Sequence, residues 1–181
     1  MKRIYPLTAS AVVMLWSLAS ANAATKPKNE SPSTEAQVMF AQIDATSTAI
    51  AETAYNLGVM AKDQRDPQSH LEGLRDLRED INKVGSELQA LEAERSSLSE
   101  WESKALDQIL PLMQDVAGNT EKALQTFNSD RQRLWATSYV DDTATVTKEA
   151  DQVATLLRDY LKLARTREKE SRIEQSLGET Q

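Results

Sequence analysis

The chain has 181 residues, a formal net charge of -7, one histidine and no cysteine. That length suits one ordinary domain with a single core. The acidic balance disfavours nucleic acid and anionic lipid as partners, and the missing thiols exclude disulfides, lipid attachment at a cysteine and covalently held haem.

Lys2 and Arg3 precede a mostly apolar run from Ile4 to Leu18, which gives way to the small-residue segment Ala19-Ser20-Ala21-Asn22-Ala23. This pattern predicts a secretory signal peptide, residues 1–23, with cleavage after Ala23. The run is short for a membrane span and contains Pro6. No later run approaches the ~20 apolar residues that a spanning helix needs, so no integral membrane segment is expected after signal cleavage. An exported, disulfide-free domain points to a bacterial periplasm or to secretion. Residues 24–33 hold Pro27 and Pro32 and no large apolar side chain, which predicts a disordered leader.

From residue 34 to about 164 the apolar residues recur every three or four positions, the period of a helix. The first helix is expected from Thr34 to Lys62, with Met39, Ile43, Thr46, Ile50, Thr53, Leu57 and Met60 facing inward and Thr34 with Gln37 at capping-box spacing. Asp66-Pro67 restarts the chain, because proline suits a first helical position. The second helix, to about Ser97, carries Leu74, Leu77, Ile81, Val84, Leu88, Leu91, Arg95 and Leu98 in unbroken alternation. Ser99 and Glu102 predict a capping box at the start of the third, so the chain is expected to reverse after Leu98 with almost no loop.

The third seam runs Leu106, Ile109, Met113, Val116, Thr120, Ala123 and Phe127. It stays in phase across Pro111, which predicts a kink and not a break. Residues 128–137 form the longest connection. Ser138 with Asp141 opens a fourth helix whose seam is Thr143, Val146, Ala150, Val153, Leu157, Tyr160 and Ala164, and residues 165–181 predict a charged helical extension or frayed tail. The expected fold is all-α: an antiparallel up-down-up-down four-helix bundle over residues 34–164, with coiled-coil-like seams and helices of about 45 Å. The same seams would also let two helical hairpins pair with a second copy.

Bundles often hold cofactors between facing helices, so the ligand inventory matters. A carboxylate-bridged di-iron site needs two Glu-x-x-His pairs, and this chain has a single histidine. Serine catalysis needs a histidine base and an orienting carboxylate, and the serines fall at helix starts and outer faces. No enzyme, metal or cofactor is therefore expected. A non-covalent haem between His70 and Met60 is the alternative, against the plainer reading of His70 as a surface residue at a helix start.

Ser69-His70-x3-Leu74, Val84-Gly85, Trp101-x3-Ala105-x-Asp107-x-Ile109-x-Pro111, Phe127-Asn128 with Leu134-Trp135, and Tyr160-Leu161-x2-Ala164-Arg165 resemble a family of exported bacterial helical-bundle proteins of uncharacterised activity. The resemblance implies export and an all-helical fold, and brings no ligand or catalytic residue with it.

In the expected topology the first turn and the third connection share one end of the bundle. That tip would gather His70, Met60, Asn128, Arg131, Trp135 and Tyr139, beside Gly58 and Gly73, which would leave side-chain volume empty. Arginines beside aromatic faces suit a small molecule or an anionic peptide. The competing reading makes Trp135 and Tyr139 a plug over the core while the arginines face water. Functionally, the chain is expected to be a non-catalytic envelope module that binds a protein partner, a second copy or a small ligand, with a sensor-type domain as a further alternative.

Overall fold

A computed structural model describes residues 34–178, so the expected signal segment and leader lie outside it. The described residues form four α-helices, α1 (Thr34–Lys62), α2 (Pro67–Ala93), α3 (Glu100–Ser129) and α4 (Tyr139–Gly178), with one 3₁₀ turn at Leu134–Ala136. Among them there is no strand, and no helix is long and apolar enough to cross a membrane. The helices pack as a four-helix bundle, α1 most extensively on α4, with α3 on α4, α1 on α2 and α2 on α3.

Local chemistry sets the helix ends. Pro67 opens α2 with Asp66 at its N-cap, although the Asp66 side chain makes no capping hydrogen bond. At α3 the capping box is complete: Ser99 Oγ accepts from the Glu102 amide while the Glu102 carboxylate accepts from the Ser99 amide at 2.7 Å. The α1–α2 turn closes by Arg65 N–H donating to the Met60 carbonyl at 3.0 Å and Gln64 N–H to that of Ala61 at 3.1 Å. This double closure is a Schellman turn, and it holds Gln64 at φ 54°, the left-handed region that glycine usually fills. The reversal before α3 is looser than its sequence suggests. α2 ends at Ala93, and Ser97 Oγ donates to the Glu94 carbonyl, a side-chain bond that competes with continuing the helix.

The core follows the expected seams of α2 and α3 closely, every one of those positions being buried except Arg95, which is half-exposed and paired with Glu92 and Asp107. In α1 the inward face is rotated: Phe40, Ser47, Ala54 and Ala61 are buried, whereas Met39, Thr53 and Met60 are only partly so. α1 packs on both α2 and α4, and a helix with two neighbours buries a wider stripe than one seam. The core threonines divide. Thr143 Oγ1 donates back to its own helix, to the Tyr139 and Val140 carbonyls, while Thr120 Oγ1 is buried without a hydrogen-bond partner. α3 runs unbroken through Pro111, and α4 continues past Ala164, beyond which every described side chain is exposed.

Candidate functional site

The turn between α1 and α2 meets the connection between α3 and α4, and a cleft of about 260 Å³ opens where they join. Its walls include Gln64, Arg65, Asp66, His70, Arg131 and Trp135.

His70 is the deepest of these. It is a fully buried side chain, which corrects the surface reading drawn from its place at the start of α2. The α3–α4 connection folds over this end and sets two aromatic rings against the imidazole: Phe127 at 6.4 Å between centroids and Tyr139 edge-on at 5.4 Å. Nδ1 shares a hydrogen bond of 3.1 Å with the Tyr139 hydroxyl, and Nε2 is buried. The Met60 carbonyl, which accepts from Arg65 N–H, also hydrogen-bonds the His70 ring. Loss of solvent around the ring lowers the His70 pKa below its ordinary value, more strongly than the Met60 main chain and the Asp66 charge raise it. Burial also pushes the Tyr139 phenol well above its usual range. Both groups are thus held neutral.

The other expected site residues divide. Arg131 lies over the Phe127 ring at 5.0 Å and donates to Asn128 Oδ1 at 3.1 Å, so Asn128 orients the guanidinium from outside. Arg133 turns away, paired with Asp130 at 2.9 Å. Met60 is half-buried and borders the site through its main chain. Trp135 is 44 % exposed on the rim of the cleft, whereas Tyr139 is fully buried.

The glycines also do the opposite of leaving space. A Cβ on Gly58 would lie 3.0 Å from Thr143 Oγ1, and one on Gly73 would lie 2.9 Å from Leu57 Cδ2. They permit close approach of α1 to α4 and of α2 to α1.

A second, larger opening of about 1030 Å³ follows the seam between α3 and α4 and was not anticipated from the sequence. Leu112 of α3 and Leu156, Tyr160 and Leu163 of α4 give it apolar walls. The signal was present as an outer series, Leu156, Leu163 and Leu177, at multiples of seven residues beside the inward seam of α4. At the end of the bundle away from His70, Trp101 packs between Phe40 and Tyr160, both at 6.2 Å, and so adjoins this groove.

No family model matches this chain, and no curated protein or solved structure matches it.

Proposed function

We propose that the protein is a non-catalytic, exported binding module of the cell envelope, an antiparallel up-down-up-down bundle whose ligand site is the cleft at the His70 end. Several cross-helix contacts support that topology: His70 with Tyr139, Asn119 with Glu149, Arg158 with Asp44, and Phe40 with Trp101 join positions level with each other in an up-down order. The reading includes a bend in α3 at Pro111, because the missing amide leaves the Asp107 carbonyl without its helical donor. A crystal structure with an axis bend below the ~20° of a sharp kink would remove that part.

The observation that carries the functional reading is a fully buried histidine at the base of a cleft that also holds Arg65, Arg131 and an exposed tryptophan. Buried polar atoms are usually satisfied, and a ligand acceptor at the cleft would add to the hydrogen bonding of the His70 ring. In the tautomer in which the Tyr139 hydroxyl donates into Nδ1, Nε2 carries the proton and is a neutral donor. Together with the guanidinium groups it suits a carboxylate, while the Trp135 face suits a flat apolar part of the same molecule. A haem held between His70 and Met60 is not part of this reading, since Met60 meets the site through its main chain.

Trp101→Phe in the mature chain leaves Trp135 as the emitting tryptophan. Titration with small aromatic carboxylates such as indole acetate is expected to change its emission saturably, and Arg131→Ala and His70→Ala to abolish the change. Identical titrations in those variants and the parent would reject the site.

A further inference from the structure

We infer that the exposed end of α4 is a self-association arm, and that in a two-fold dimer it lies in the α3–α4 groove of a second copy. Beyond Ala164 α4 continues through residues 165–178, about 20 Å at ~1.5 Å per residue, and its described side chains there are exposed. A single amphipathic helix projecting into water gains nothing from its apolar residues, yet this one shows Ile173 at 49 % and Leu177 at 66 % exposure. Leu177 lies two and three heptads beyond Leu163 and Leu156, and Ile173 lies four residues before Leu177, so all four lie on one face of α4. Leu156 and Leu163 line the groove, and Leu163 is itself 41 % exposed. Groove and arm are thus one continuous apolar stripe on a single helix, which is what a self-complementary two-fold contact requires.

Charge favours the same pairing. The chain is acidic overall, and the groove carries Asp151 and Asp159 against Lys148. The arm carries Arg165, Arg167, Lys169 and Arg172 against Glu168, Glu170 and Glu174. An antiparallel α4–α4 contact with its axis near Ala164 and Arg165 sets Ile173 opposite the partner's Leu156 and Leu177 opposite the partner's Gln152. Lys169 then falls within one turn of the partner's Asp159. Symmetry repeats each contact, so one arm has to supply only half of the ~1,200 to 2,000 Å² that a stable interface buries.

The full mature chain is expected to sediment with twice the monomer mass at micromolar concentrations, and Ile173→Glu with Leu177→Glu to return it to the monomer with unchanged helicity. Because the chain has no cysteine, the register can be read directly. Mixing Leu156→Cys with Ile173→Cys under oxidation is expected to give a disulfide-linked pair that neither variant gives alone. Within one helix those positions are about 25 Å apart, far beyond disulfide reach. A monomer at every concentration, a dimer that survives both glutamates, or a mixture that fails to cross-link would each overturn the inference. So would a monomer that cross-links to a different protein from a photo-reactive residue at 163, which would assign the groove to a foreign partner.

Discussion

His70 shows how much one residue's role depends on what folds over it. Its pKa is lowered by burial, so the folded ring stays neutral while the unfolded chain takes up a proton as the pH falls through about 6.5. The sign follows: stability is full above about pH 7, declines as the pH drops through 6.5, and levels off once the folded ring also titrates. Thermal melts between pH 7 and 5 are expected to show that decline in the parent and to lack it in His70→Gln. Asp80 and Glu87, whose burial raises their pKa values, act on both proteins alike and cancel in the difference. Tyr139→Phe would leave Nδ1 unpartnered, at a cost of about 1–3 kcal/mol in denaturant unfolding. Gln64 is the converse case. Its left-handed backbone is imposed by the Schellman turn, so Gln64→Gly is expected to stabilise by about 0.5–1 kcal/mol unless its side chain holds the cleft.

At the scale of the element, most of what the helices do was legible along the chain, because caps and seams are local. Ser99→Ala removes one half of a formed capping box and should cost about 0.5–2 kcal/mol. Gly118 sits in α3 with nothing within 4 Å of where a Cβ would be, so Gly118→Ala should gain about 0.5–1 kcal/mol from helix propensity alone. Gly58 and Gly73 look the same in the sequence, yet their Cβ positions are already approached by Thr143 and Leu57. A glycine's reason for being in a helix comes from the neighbouring helix, and the chain does not print it.

For the whole molecule, stability rests on the shared core, since among the described residues the ion pairs lie largely at the surface, where each contributes little. Leu88 is fully buried, and Leu88→Ala should cost about 2–5 kcal/mol, measured by denaturant unfolding. The sequence by itself determined that the described chain is helical, where all four helices begin within a residue or so, and which faces of α2 and α3 turn inward. Those properties follow from a 3.6-residue period and from capping residues, both written within a few positions of where they act. Only the tertiary structure decided that His70 is buried, that Trp135 stays exposed, that Phe40 and not Met39 enters the core, and that an apolar groove remains between α3 and α4. Each of these depends on side chains brought together from far apart, as Tyr139 is brought to His70 across 69 positions, and burial is a property of such neighbours and not of the local repeat.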